Sequence, residues 1–356
     1  MILRRIFYAL AVLIAGFVVL LIATKGTHTP AFTDANGNPV PDSIAEERIV
    51  TLGGVDQYVL LRGLNKRAPL LLYVHGGPGM TSTPFLRTYN EQLEDHFLVV
   101  YWEQRGTSNS FSEDLSKSNM TIDQITNDLS ELVDLMLAEF QQEEVLLVGH
   151  SWGTIPALEY SAESPNTVAA YIAVAQTTNQ VESDKQGFEW ALAKAQEKAL
   201  EKSVNVLQNL GTPPYTYDEF VTQRKQVNFL GGGTVEAKSD LDFAFTAVKS
   251  AEFAWPKLGS LVKGVQFSGA ALWEEQQQYD AFKRHPKLDV PVFMLSGRHD
   301  RIISPALASA YFDALDASEK EFIWFEESAH APQFEEPELF NSTIIEIAKQ
   351  IGLLSP

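Results

Sequence analysis

The chain has no cysteine among its 356 residues. Disulfides, thiolate metal sites and cysteine nucleophiles are thereby excluded together. Cationic residues are scarce as well: 27 Lys and Arg stand against 46 Asp and Glu, a formal net charge of −19. No basic run offsets this, so nucleic acid, whose phosphates require clustered cations, is disfavoured as a partner. The acidity reads as a solvated surface, although it would also suit a cationic substrate. Internal repeats and low-complexity tracts are lacking. What the sequence does hold is apolar material, 45% of its residues, enough for one large α/β domain with an insertion or for two domains.

Residues 6–23 form an uninterrupted apolar run of 18, with Arg4 and Arg5 before it and Lys25 after it. That length is sufficient for a tilted membrane span. The leading arginines predict a cytoplasmic N-terminus with the remainder of the chain outside. A cleaved signal segment followed by secretion is the alternative, but its apolar region would be shorter and Leu21-Ile22-Ala23 is a poor cleavage site. Residues 1–26 are therefore read as an anchor and 27–46, rich in Pro, Gly, Asn and Asp, as a linker.

From residue 47 the pattern is α/β. Strands are predicted at Arg48–Leu52, Gln57–Arg62, Leu70–His75, Phe97–Trp102, Glu144–Gly149, Val168–Val174, Val292–Ser296 and Phe322–Phe325. The first two suit an antiparallel hairpin around Gly53-Gly54. The later ones are continuous apolar runs, as in a parallel sheet covered on both faces. Between strands, Ile122–Phe140 repeats its apolar residues at helical spacing. The rhythm breaks between 179 and 286, where helical stretches at 188–210 and 241–253 surround Gly231-Gly232-Gly233. Residues 47–178 and 287–356 are thus predicted to form the two parts of one core, with 179–286 as a mainly helical cap.

Gly149-His150-Ser151-Trp152-Gly153 directly follows the apolar run Val145–Val148. A buried strand leading into Gly-x-Ser-x-Gly and then a helix has the sequence form of a nucleophile elbow. The turn is so tight that a Cβ on either flanking glycine would clash. A serine hydroxyl needs a base during attack, and the base needs an orienting group. In this sheet architecture the partners follow in the order acid, then histidine, each after a late strand. Asp300 follows Val292–Ser296 through Gly297-Arg298-His299, and His330 follows Phe322–Phe325 through Glu326–Ala329. Of the other histidines, His28, His96 and His285 fall in the linker or in polar loops. His150 should point away from the nucleophile, and His299 is a rival base beside Asp300. Asp313 and Asp316 lie in a helical stretch and suit a solvated role.

A developing oxyanion needs two backbone N–H donors. One is supplied by Trp152, the residue after the serine. The second is expected from Gly77, in His75-Gly76-Gly77-Pro78-Gly79 after the strand at 70–75.

These segments, together with Trp102-Glu103-Gln104-Arg105-Gly106 and the late Gly-Arg-His-Asp and Ala-His pieces, resemble the proline iminopeptidase family of α/β-hydrolases over residues 47–178 and 286–352. The resemblance implies the α/β-hydrolase fold, a mostly parallel sheet flanked by helices with an inserted helical cap. It implies a Ser151-Asp300-His330 mechanism without cofactor or metal, releasing an N-terminal residue, typically proline, from short peptides. Two departures stand out. The family usually has a glycine where this chain has Ser108, and the cap glutamates that hold the substrate's ammonium cannot be placed with certainty. Glu274 and Glu275, beside Trp273, are the candidates: carboxylates for the amine and an aromatic wall for the prolyl ring. A solvated helix face explains the two glutamates equally well.

The sequence thus predicts a membrane-anchored, extracytoplasmic serine hydrolase acting on short peptides or amino-acid amides. A carboxylesterase or lipase-like enzyme for small acyl esters uses the same triad and is the alternative. A non-catalytic binding module would normally lack a triad member. Chemistry based on an aspartate nucleophile is disfavoured by serine at position 151.

Overall fold

The computed structural model describes residues 29–235, 250–252 and 258–355, with residues 4, 8, 10, 12–16 and 246 besides. Eight strands form one sheet: β1 (Ile44–Leu52), β2 (Val55–Gly63), β3 (Leu70–Val74), β4 (Leu98–Trp102), β5 (Val145–His150), β6 (Val168–Val174), β7 (Val292–Gly297) and β8 (Lys320–Phe325). Their order is β1-β2-β4-β3-β5-β6-β7-β8. The β1–β2 and β2–β4 pairs are antiparallel, and all later pairs are parallel. The turn at Gly53-Gly54 closes the first hairpin, where Leu52 pairs with Val55.

The pleat explains why the central strands are apolar throughout. Leu70, Leu72 and Val74 of β3 face one core cluster, and Leu71 and Tyr73 face the other. With both faces buried, alternation with polar residues disappears. On the first face lie Ile125, Leu129, Leu132 and Met136 of a helix at Ile122–Phe140 and Ile155 and Leu158 of one at Thr154–Glu163. The other face carries Phe340, Ile344 and Ile347 of the helix Pro337–Gln350. Thr121 caps the Ile122 helix by accepting from Gln124 N at 3.1 Å, and Gln141 ends it in a left-handed conformation (φ 55°).

Between β6 and β7 the described chain is helical. Numbering the described helices in chain order makes Thr83–Tyr89 α1, Ile122–Phe140 α2 and Thr154–Glu163 α3. The insertion then holds α4 (Gln180–Glu197), α5 (Glu201–Leu210), α6 (Tyr217–Phe229), α7 (Leu258–Gln278) and α8 (Ala281–Arg284). After β7 come α9 (Pro305–Ala314), α10 (Pro332–Glu335) and α11 (Pro337–Gln350). Phe188, Ala191, Leu207, Val227 and Leu230 give the insertion a core of its own. The helical stretch expected at 188–210 is two helices, separated where Ala199 takes a left-handed φ of 52°. The stretch expected at 241–253 lies mostly outside the described residues.

The expected membrane anchor requires correction. Among the described residues no helix is long and apolar enough to cross a membrane. The longest, α7, breaks its apolar residues with Lys263, Gln266 and Glu274. Most of the run at 6–23 lies outside the described residues, as does His28, and the extracytoplasmic placement built on that run falls with it. Nor is the stretch read as a linker featureless. Thr29 N donates to Glu47 Oε1 at 2.8 Å, Pro30 O accepts from Arg62 Nη1 at 2.7 Å, and β1 already begins at Ile44.

Candidate active site

Ser151 sits at the tip of the turn between β5 and α3 with φ 53°. Close approach on both sides explains the flanking glycines. A Cβ on Gly153 would lie 2.1 Å from Val74 O, and one on Gly149 2.8 Å from Gly153 O. The turn is pinned from beneath, where Ser151 O accepts from the Thr154 hydroxyl at 2.5 Å and the Thr177 hydroxyl at 3.1 Å.

The loops after β7 and β8 bring the two sequence-predicted partners to this serine. His330 Nε2 is 2.9 Å from Ser151 Oγ, and His330 Nδ1 is 2.8 Å from Asp300 Oδ2. The carboxylate's other oxygen accepts from Ile302 N at 2.7 Å and Ile303 N at 3.0 Å. Asp300 is buried, while His330 keeps 16% of its side chain exposed. With Asp300 accepting at Nδ1–H, Nε2 is left free to take the serine proton. His299 is exposed and its backbone N–H donates to Ser328 O.

His150 does not simply point away. Its Nε2 lies 3.0 Å from His330 O and its ring centroid 5.1 Å from that of His330. Burial, followed by the neighbouring His330 charge, lowers its pKa to about 3. The neutral ring therefore donates from Nε2 to that carbonyl and braces the backbone of His330. His285, expected in a polar loop, is largely buried with Nε2 2.9 Å from Glu159 Oε1.

The glycine-rich loop after β3 passes over the elbow. A Cβ on Gly76 would lie 3.2 Å from Ser151 Cβ, and Gly77 adopts φ 132°. His75 turns back under the loop. Its Nε2 accepts from Gln104 N at 3.1 Å, which leaves Nδ1 as the donor to Gly76 O at 2.7 Å. Burial lowers its pKa to about 4. Gln104, from the loop after β4, joins the two segments named for the oxyanion. Its Nε2 donates to His75 O at 2.8 Å, and its Oε1 accepts from Trp152 Nε1 at 3.0 Å. The motif Glu-Gln-Arg-Gly at 103–106 was visible in sequence, but this bridge was not, because it depends on which loops the sheet order makes neighbours.

Arg105 in the same motif is buried with Asp128: Nε to Oδ2 at 2.5 Å and Nη2 to Oδ1 at 2.6 Å. Ser108, where a glycine was expected, takes φ 36° and so keeps the left-handed backbone that glycine favours.

The candidate amine site near 273–275 finds other partners. Trp273 is buried in the insertion, its Nε1 donating to Tyr215 O at 2.7 Å and its ring lying against Phe220, with centroids 4.2 Å apart and planes tilted by 33°. Glu275 Oε2 accepts from Ile122 N at 2.7 Å, at the N-terminus of α2, where a carboxylate is favoured. Glu274 is exposed. Among the described residues, none of the three forms a hydrogen bond, ion pair or ring contact with Ser151, His330 or Asp300.

A serine at a strand-to-helix elbow, backed by an imidazole and a carboxylate from two later loops, is an arrangement of hydrolytic enzymes with an α/β core. The chain belongs to the alpha/beta hydrolase fold family, whose model matches residues 69–337. It is 31% identical over 308 residues to a probable aminopeptidase of Bacillus subtilis, covering 86% of this chain and 97% of that one. It is 26% identical over 312 residues to a proline iminopeptidase of Clostridioides difficile, covering 82% and 94%. Among solved structures, the proline iminopeptidase of Mycobacterium smegmatis shares the fold with a TM-score of 0.63 at 15% identity, covering 86% of this chain and 98% of that one.

Proposed function

We propose that the protein is a serine aminopeptidase of the proline iminopeptidase type, acting on short peptides or amino-acid amides. The observation that carries this is the continuous chain from Ser151 Oγ through the His330 ring to buried Asp300, at 2.9 and 2.8 Å. Its likeness in sequence to a probable aminopeptidase and a proline iminopeptidase supports the peptide substrate.

In this reading Ser151 Oγ attacks the carbonyl carbon of the N-terminal residue as His330 Nε2 takes the hydroxyl proton. Asp300 holds the imidazole in the Nδ1–H tautomer and stabilises the imidazolium. The N–H groups of Trp152 and Gly77 receive the oxyanion. The tetrahedral intermediate collapses, the C–N bond breaks, and His330 returns the proton to the leaving amine. Water, deprotonated by His330, then cleaves the acyl-serine ester, releasing the amino acid and restoring Ser151. The helices between β6 and β7 act as a cap that limits the length of peptide admitted.

The test is a side-by-side hydrolysis assay of the full chain with prolyl, alanyl and leucyl arylamides and short-chain nitrophenyl esters, with Ser151→Ala as control. The expected result is arylamide turnover that is lost on N-acetylation of the substrate and falls at least about a thousand-fold in the variant. Ser151-dependent ester turnover without amide turnover would replace the peptidase by an esterase. A folded protein inert toward both would overturn the assignment.

A further inference from the structure

The loop carrying His330 is held almost wholly by groups outside it. Glu327 N and the Ser328 hydroxyl donate to Glu336 Oε2 at 3.2 and 2.6 Å. Ala329 N and Ala331 N, one on each side of the histidine, both donate to Glu335 Oε1 at 3.1 Å. His330 N donates to Gly233 O at 3.2 Å, and the histidine's own carbonyl accepts from His150. The second oxygen of Glu335, Oε2, accepts from Val235 N at 2.7 Å. One carboxylate therefore grips the base loop on both sides of the imidazole and, with its other oxygen, the insertion.

The triglycine segment completes the joint. Gly232 O accepts from Arg301 N, the residue after Asp300, at 2.9 Å, while Gly233 O serves His330 N. Two adjacent carbonyls thus hold the acid loop and the base loop in one frame. Gly232 has no room for a side chain, since a Cβ there would lie 2.7 Å from Arg301 Cβ, and one on Gly233 would displace the Asn228 amide, 2.3 Å away.

We propose that Glu335 is a positioning residue for the base, fixing the His330 loop against the triglycine segment of the insertion so that the imidazole meets Ser151 and Asp300 at once. A carboxylate suits the task because each oxygen only accepts, and charged acceptors form the stronger bonds. An amide would keep one acceptor oxygen and set its NH2 against an N–H donor at the other. Burial pushes the Glu335 carboxyl above its ordinary value, against the pull of the three N–H donors and of His330. The proposal rests on the reading of Ser151, His330 and Asp300 given above.

The experiment compares the full chain with Glu335→Gln, Glu335→Ala and Ser151→Ala. A fluorophosphonate phosphonylates a serine hydroxyl with loss of fluoride when a base removes its proton, so no substrate need be known. Reaction is expected to slow about ten-fold in Glu335→Gln and about a hundred-fold in Glu335→Ala. On any amide or ester turned over, kcat should fall in step while KM stays within about two-fold. The low-field proton resonance of the His330–Asp300 hydrogen bond, assigned with His330→Gln, should shift or broaden in both Glu335 variants. Wild-type phosphonylation rates with an unchanged resonance overturn the proposal. If the alanine variant fails to fold, the glutamine variant decides. If the folded wild-type chain is inert to the probe, the hydrolase reading fails, and the resonance alone decides whether Glu335 orients the imidazole.

Discussion

The indole N–H of Trp152 donates to Gln104 Oε1 at 3.0 Å, so the residue following Ser151 is held by the loop after β4. The same amide group donates to His75 O at 2.8 Å and thereby holds the loop of Gly77. Gln104→Leu keeps the size of the side chain and removes both bonds. The variant is expected to lose about ten- to a hundred-fold in kcat with little change in KM, less than deletion of an oxyanion donor itself would cost. Steady-state kinetics on the best arylamide or ester decide it; a raised KM with kcat unchanged would assign the bridge to binding.

Gly153→Ala should be among the most damaging single substitutions in the chain. Its Cβ would meet Val74 O at 2.1 Å, a strand carbonyl that cannot swing aside. Gly149→Ala, with 2.8 Å to the nearest atom, is expected to be milder. Soluble yield and thermal unfolding should rank them in that order, with Gly153→Ala at about 4 kcal/mol or more.

Ser108→Gly should stabilise the protein. Ser108 holds φ 36° at the first position of the short 3-10 turn Ser108–Ser110, where its carbonyl accepts from Phe111 N at 3.3 Å. Relief of a left-handed conformation, set against the larger unfolded-state entropy of glycine, predicts about 0.5–1 kcal/mol from urea unfolding. A loss of stability would show that the serine hydroxyl has a role in the fold.

Buried imidazoles set an acid limit. Burial holds His75 at about 4 and His150 at about 3, both below the ordinary 6.5. A folded value below the unfolded one means that the unfolded chain takes up the extra proton. Stability from these two groups is therefore complete above 6.5 and is lost as pH falls toward their folded values. Each uncompensated proton contributes a slope of about 1.4 kcal/mol per pH unit. His150→Gln, which can still donate to His330 O, should remove about one proton's slope between about pH 5 and 6. Urea unfolding across that range measures it, and an unchanged slope would contradict a neutral buried His150.

The Arg105–Asp128 pair makes a contrasting stability test. Both side chains are buried, and Asp128 also accepts from Gln57 Nε2 at 2.6 Å. Asp128→Ala leaves a buried guanidinium without its partner and should cost about 3–5 kcal/mol. The double variant Arg105→Met/Asp128→Leu should recover much of that loss, because no charge remains buried. Chemical denaturation of the three proteins tests both statements.

The sheet was legible because its strands are buried on both faces: the apolar runs at 70–74, 98–102, 145–148 and 168–174 admit little else. The long α2 was legible for a related reason, a full amphipathic period between Thr121 and Gln141. Asp300 and His330 could be placed by counting from the ends of β7 and β8, since the architecture puts such residues at strand C-termini. The insertion was not legible in the same way. Its helices pack on one another through residues such as Phe188, Val227 and Trp273, whose neighbours are fixed by crossings that sequence spacing does not encode. Glu275 illustrates the limit: a carboxylate near an aromatic reads as a ligand site, whereas its partner Ile122 N lies 153 positions away. The triglycine segment was visible as a break between helical stretches, but its partners Arg301 N and His330 N were not. Nor was the bond from Val235 N to Glu335, 100 positions away, because these contacts join parts distant in the chain.

The insertion separates Ser151 from both Asp300 and His330 along the polypeptide. A ribosome therefore releases the serine, its elbow and the glycine-rich loop well before the residues that would activate them. On the mechanism proposed above, the Ser151 hydroxyl has no base until β7 and β8 add to the sheet edge beside β6.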